Sequence, residues 1–262
     1  MRFKERGTTI TTTTTSTPIP KRKEATRTLL KASGMGSLLF LMCATSAQAA
    51  RPMITDDARI VDAKACQLET WARRNQDGRN EFWAQPACNF SGNLELTVGG
   101  ALTRENNDQN HRTHRTAQMI QGKTLFKTLE TNGWGMGLAL GTMRDPTAGR
   151  GSNWYGYVPV SFSFADDRFF LHANVGWQRD QSPRRSHATW GLGTETQLTE
   201  RSWVVAEMFG QADGKPFYHG GLRYWVVPDR VQVDLTYGNR LTDGGERWIS
   251  LGLRFLSPAF LP

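Results

Sequence analysis

Along most of this chain, apolar and polar residues alternate one for one through a series of short segments, a period of two that only half-buried β-strands satisfy. Trp134-Met136-Leu138-Leu140 alternates with Gly135-Gly137-Ala139-Gly141, and Val158-Val160-Phe162-Phe164 with Tyr157-Pro159-Ser161-Ser163. Leu171-Ala173-Val175-Trp177, Leu222-Tyr224-Val226, Val231-Val233-Leu235-Tyr237 and Ile249-Leu251-Leu253-Phe255 repeat the pattern. These apolar sets carry no charge, whereas the opposite sets carry most of the ionisable groups. Strands are expected at about 66–74, 81–88, 93–103, 114–127, 134–143, 154–164, 169–178, 188–198, 203–210, 217–226, 231–237 and 247–256. That makes twelve, with ten as the alternative count.

Alternation alone does not separate a soluble sandwich from a barrel in lipid. The spacing of the segments does: short connections such as 89–92, 165–168, 199–202 and 227–230 take turns with longer ones at 104–113, 144–153, 179–187 and 238–246. Outer-membrane barrels pair short periplasmic turns with long outer loops over an even strand count. The expected fold is therefore all-β, an antiparallel up-and-down transmembrane barrel after a cleaved signal peptide, with both termini on the periplasmic side. Aromatic residues near strand ends, Trp134, Trp154, Trp177, Trp190 and Trp203, fit the interfacial girdles of such barrels. The final strand ends Gly252-Leu253-Arg254-Phe255, similar to the signal read by the barrel-assembly machinery, although Leu256 to Pro262 extend past it.

The first hairpin can be registered residue by residue. Gly78 suits the left-handed position of a three-residue turn at Gln76-Asp77-Gly78. The turn then pairs Arg73 with Glu81, Trp71 with Trp83, Glu69 with Gln85 and Cys66 with Cys88. A salt bridge, an aromatic pair and a disulfide follow from one register. Cross-strand Cα spacing suits the disulfide, and an exported chain favours it over two reduced thiols.

Residues 1–49 read as a targeting segment. Lys21, Arg22, Lys23, Arg27 and Lys31 precede the apolar run Met35 to Cys43, and Ala47-Gln48-Ala49 offers a small-x-small cleavage site after Ala49. The run is shorter than the roughly 20 residues a membrane helix needs. Met42 sits where a lipoprotein signal would carry a small residue, which argues against lipidation of Cys43. Residues 1–49 hold 8 Lys+Arg and 2 Asp+Glu, six units of the net +8, so only +2 remains beyond them. A basic isoelectric point residing in a leader gives no reason to expect nucleic acid as a partner. Residues 50–65 are expected to form a periplasmic N-terminal segment and 66–262 the barrel.

The inner face should carry Glu69, Arg73, Glu81, Glu95, Lys123, His172, Glu195, Glu207, His219, Arg223, Asp234 and Arg254, a mixture of signs without strong ionic preference. Asp56-Asp57 would cap the periplasmic mouth or pair with an inward arginine. No catalytic set stands out: His172 is followed by Ala173-Asn174 and His219 by Gly220-Gly221, neither giving a His-x-Ser pair, and Ser186-His187 falls in an expected loop. His111 and His114 lack a further ligand at metal spacing. Neither metal nor cofactor is expected. Arg184 and Arg185 could reach lipopolysaccharide phosphates.

The stretch Arg51-Pro52-Met53-Ile54-Thr55-Asp56-Asp57-Ala58, followed by Gln67-Leu68-Glu69, resembles the Gram-negative outer-membrane family linked to the meta-cleavage pathway of phenol degradation. The family usually has a small or glycine-containing stretch where this chain has Arg59-Ile60-Val61, and does not depend on a pair like Cys66 and Cys88. The resemblance implies a transporter in the outer membrane, among lipid and lipopolysaccharide. The reading is a narrow passive channel or uptake protein for a small solute, aromatic solutes included. The alternatives are a barrel enzyme acting on envelope lipid and a closed structural barrel with binding loops.

Overall fold

The computed structural model describes residues 52–106, 112–144, 152–181, 184–242 and 245–262. The signal-peptide reading of residues 1–49, including Cys43, and the His111/His114 pair, through His111 and the His114 side chain, lie outside what is described.

Twelve antiparallel strands form the wall: β1 (Cys66–Asn75), β2 (Asn80–Asn89), β3 (Glu95–Asn106), β4 (Arg112–Lys127), β5 (Trp134–Arg144), β6 (Asn153–Phe164), β7 (Phe169–Gln181), β8 (Arg184–Gln197), β9 (Ser202–Gln211), β10 (Phe217–Val227), β11 (Val231–Arg240) and β12 (Arg247–Leu256). Each strand pairs with its sequence neighbours, and β1 pairs with β12, so the sheet closes on itself. Closure removes the sheet edges and satisfies the backbone within the wall, the condition for crossing hydrocarbon with strands.

The pleat sorts side chains by parity, and the sorting is inside-out. Val98, Ile120, Leu140, Val175, Leu192, Leu222, Leu235 and Leu251 are exposed on the outer face, while Glu69, Glu81, Glu95, Lys123, Glu195, Glu207, Arg223 and Asp234 are buried on the inner one. A continuous apolar belt of this extent is untenable in water and suits lipid. On β6, Trp154 and Phe164 bound that belt ten positions apart. At roughly 3.3 Å per residue and a tilt near 40°, they stand about 25 Å apart along the axis, the height of a barrel's apolar band. Trp134, Trp177 and Trp190 also face outward. Trp203 does not: it is buried inside, its ring 5.9 Å from Phe170 and 5.1 Å from the Arg223 guanidinium.

Connections differ from the sequence expectation in one respect. At the end where β2 meets β3 the gaps span 90–94, 128–133, 165–168, 198–201 and 228–230, and at the opposite end they span 76–79, 107–111, 145–152, 182–183, 212–216 and 241–246. Loop length is nearly even, because β3, β4, β7 and β8 run on through polar residues expected to be loops. The β7–β8 ladder continues to Gln181 opposite Arg184. Beyond the lipid no apolar face is required, so alternation fades while backbone pairing persists. His187, expected in a loop, is thus a buried inward residue of β8, with Asp180 3.5 Å and Asp213 3.4 Å away.

The first hairpin has the expected register, including Cys66 opposite Cys88 and Trp71 opposite Trp83. Gly78 takes a φ of 83°, the disulfide is formed, and the two indoles stack at 5.4 Å. Arg73 and Glu81 face each other in register without forming the expected salt bridge. Arg73 lies 4.2 Å over the Trp248 ring and donates to Asn75, whereas Glu81 accepts from Asn75 at 2.8 Å and Trp83 at 3.1 Å. Trp248 reaches the same spot because β12 flanks β1 on its other side, which only closure provides.

A barrel of twelve strands is wider than one that its own side chains fill. The space is taken by the chain itself. Residues 52–65, expected in the periplasm, lie in large part inside the wall: Pro52, Met53, Thr55, Asp56, Asp57, Ala58 and Val61 are all buried. Lys64, at a left-handed φ of 62°, turns this segment into β1, and its N–H donates to Asn89 at 2.7 Å. The Cys66–Cys88 bond fastens the wall beside that turn. The tail past β12 folds over the same place, with the Phe260 and Leu261 N–H groups donating to the Lys64 carbonyl.

Candidate functional site

The segment forms no ladder with the wall, so its backbone groups must find side chains. Glu207 on β9 accepts the Ile54 N–H at 2.8 Å and the Thr55 N–H at 2.6 Å. Ser161 on β6 accepts the Ala58 N–H at 2.7 Å, and Glu95 on β3 accepts the Val61 N–H at 2.8 Å. Asn89 donates to the Val61 carbonyl at 2.8 Å. The Asn174 amide, oriented to satisfy both groups, donates to the Asp56 carbonyl at 2.8 Å and accepts the Asp56 N–H at 3.0 Å. Buried polar residues that looked like the lining of an open passage are in large part a socket for a peptide.

Space for the segment is left by glycines of β8. A side-chain carbon at Gly191 would stand 2.6 Å from the Thr55 hydroxyl, and one at Gly193 would collide with the Met53 methyl.

Charge fixes the centre of the segment. Lys123 on β4 lies 2.8 Å from both Asp56 carboxylate oxygens and 3.6 Å from Asp57, and the Tyr157 hydroxyl donates to Asp56 at 2.6 Å. From the wall, Asp56 and Asp57 thus meet a lysine and not an arginine, inside the lumen, while Asp57 also lies 3.8 Å from Arg59 of its own segment. Arg59 of the segment lies 4.2 Å over the Phe170 ring.

The other expected inner-face residues pair mostly within the wall. The Arg223 guanidinium donates to Glu195 at 2.6 Å, and Arg254 donates to Gln67 at 2.7 Å while lying 3.4 Å from Glu69. His219 meets Glu207 at 2.6 Å, and Asp234 is buried opposite Arg223 in register.

One constellation escaped sequence reading. The Ser161 hydroxyl is 2.8 Å from His172 Nδ1, and His172 Nε2 is 3.6 Å from Glu195. A search for His-x-Ser along one strand misses it, because Ser161 faces His172 across the β6–β7 pair. The signal that could have found it is register: the Ala165 to Arg168 turn sets β6 against β7. The Ser161 oxygen also accepts from the Ala58 N–H, and Glu195 is paired with Arg223. Among the described residues no cluster has the composition of a metal site.

Below the segment, at the end that holds the β2–β3 turn, a cavity of about 370 Å³ remains, with Asp57, Arg59, Glu95, Lys123, Arg230 and Arg254 in its lining. The turns at this end are tied together. Asn132 and Asp166 exchange hydrogen bonds of 2.6 and 2.9 Å, and Thr131 donates to Asp167 at 2.5 Å. Burial pushes the Asp167 carboxyl up, but donors on Ser163 and Thr131 outweigh it and hold the group below its ordinary value.

A model of the family described as Uncharacterised conserved protein UCP029691 matches residues 37–255, covering the segment and nearly all of the wall. The chain belongs to that family. No curated protein matches the sequence. Among solved structures it is similar to the KdgM porin, at 8% identity and a TM-score of 0.55 over 72% of this chain and 98% of that one. It is also similar to the NanC porin, at 10% identity and a TM-score of 0.55 with the same coverage. At such identities the likeness is one of fold, a closed twelve-stranded barrel of outer-membrane type. The family match names no pathway.

Proposed function

We propose that the protein resides in the outer membrane and passes a small solute through a lumen closed at rest by its own residues 52–61. The observation that carries this reading is the manner in which the segment is held. Its backbone is bound by side chains, which release one at a time, and not by a strand ladder. The cavity of about 370 Å³ beneath it gives solute-sized access to the closure. Planar-bilayer recording tests the reading. The intact protein is expected to be nearly silent and a deletion of residues 52–61 to conduct, with Gly193→Leu between them because it evicts Met53. A deletion variant that shows the heat-dependent gel mobility of a folded barrel but passes no current overturns it.

Export by cleavage after Ala49 belongs to the same proposal and is read directly from the mass of the mature protein. An aromatic solute is supported only by the resemblance of Arg51 to Ala58 and Gln67 to Glu69 to the phenol-pathway family. Contact of Arg184 and Arg185 with lipopolysaccharide phosphate is supported by their exposure at the far end of β8.

A second reading has one observation in its favour, the hydroxyl–imidazole–carboxylate order of Ser161, His172 and Glu195. Ester hydrolysis by the deletion variant, lost on Ser161→Ala, would favour it. We expect none, because Glu195 is held by Arg223 at 2.6 Å and stands 3.6 Å from His172, beyond hydrogen-bond reach of the imidazole it would have to orient.

A further inference from the structure

The lumen treats its cations unequally. Arg223 is matched by Glu195 and Arg254 by Glu69, both wall carboxylates. Lys123 is more deeply buried than either, yet its closest partners, Asp56 and Asp57, come from the inserted segment. The wall carboxylate directly across from it, Glu95, is engaged by the Val61 N–H. Tyr157 aims its hydroxyl at the same Asp56 carboxylate. Two wall donors therefore converge on an anion that the wall does not supply.

The geometry selects the kind of anion. The Lys123 ammonium sits 2.8 Å from each of the two Asp56 oxygens, and Tyr157 takes one of them at 2.6 Å. This edge-on grip fits a planar carboxylate. It is also reachable, since Asp56, Asp57 and Lys123 all line the cavity beneath the segment. Displacing Asp56 removes the carboxylate that touches the buried ammonium most closely, so a solute that brings its own negative charge is favoured over a neutral one.

We infer that Lys123 and Tyr157 form a binding site for small carboxylate solutes, and that Asp56 is its tethered occupant. A carboxylate entering from the cavity competes with Asp56 and so weakens the hold on the segment. The inference rests on the closing role of residues 52–61 and adds the class of solute that opens it.

The test uses the barrel lacking residues 52–61, folded in detergent, with benzoate as probe and benzamide as its uncharged counterpart. Benzoate is expected to bind in equilibrium dialysis and to block the single-channel current, and benzamide to do neither. In the same background Lys123→Gln is expected to weaken benzoate roughly ten- to hundredfold, the loss of one charge-assisted contact. Tyr157→Phe, which keeps the ring and every charge, is expected to weaken it by a smaller factor and serves as the test if Lys123→Gln fails to fold. Glu95→Gln, which removes the carboxylate competing for Lys123, is expected to tighten it. Equal binding of benzoate and benzamide, or benzoate binding indifferent to both Lys123→Gln and Tyr157→Phe, overturns the inference. The two readings fail separately. A folded deletion variant without current defeats the closure, whereas a conducting one that ignores charge defeats only the carboxylate site.

Discussion

The wall and the segment it encloses satisfy buried backbone in opposite ways. Each strand of the wall gives its N–H and C=O groups to two neighbouring backbones around a closed ring, so no single side chain is indispensable. Residues 54–61 give theirs to Glu207, Ser161, Glu95, Asn89 and Asn174, one or two contacts apiece. Point substitutions are therefore expected to strip the segment from the lumen while leaving the cylinder standing. The same residues also explain the density of buried charge inside. Nonhelical, unpaired backbone at membrane depth persists only where protein groups serve it.

The sharpest way to break this contrast is Lys123→Ala, which leaves Asp56 buried without its cation. Truncating one partner of a buried ion pair costs about 3–5 kcal/mol. The loss is expected to appear as protease cleavage within residues 52–65, with the folded gel mobility of the barrel retained. Collapse of both together would show that wall and segment form a single cooperative unit.

Opening the Cys66–Cys88 bond probes the junction between the two regions. The bond closes a loop of sequence separation 22, for which chain entropy gives about 3 kcal/mol. Cys66→Ala with Cys88→Ala is expected to lower the unfolding free energy of the barrel by up to that amount, read as a lower urea midpoint. A loss confined to the segment, with the wall midpoint unmoved, would place the bond's role in the junction alone.

Glu207→Gln is a gentler probe of the segment. It keeps the shape but removes the charge that accepts two N–H groups and faces His219. A cost of about 1–3 kcal/mol is expected, read as faster hydrogen exchange at Ile54 and Thr55. Unchanged exchange there would mean that the carboxylate is not what holds the segment.

The smallest effect belongs to the wall's turns. The Asp167 carboxyl lies below its ordinary value, so it contributes stability above its unfolded value and loses it as pH falls through the folded one. Asp167→Asn should flatten the acid side of the stability profile slightly and leave segment release unchanged. A shift in segment release would reveal coupling between the turns and the closure.

Much of the wall was legible in the sequence. The outward rows from Trp134 to Leu140 and from Val158 to Phe164 emerge on the faces that alternation assigns them, because the pleat is a local property with a period of two. The Cys66–Cys88 pairing was legible because Gly78 fixes the register of one hairpin. Loop lengths misled, because strands that leave the lipid lose their apolar signal before they lose their partners. The strand-end position of Trp203 suggests the outer girdle, but its parity with buried Val205 and Glu207 places it inside.

What sequence alone determined is the cylinder: where its strands run, which side chains face lipid, and how its first hairpin is registered, all within reach of local periodicity and turn geometry. What fills that cylinder depends on contacts that form only once it has closed. Residues 51–58 stand out as a motif, but nothing local joins Ile54 to Glu207 across 153 positions. The same holds for Asp56 and Lys123, 67 positions apart. Those partners meet because closing twelve strands leaves a space too wide for the wall's own side chains, and the chain that enters it must be hydrogen-bonded by whatever the closed register has brought to face it.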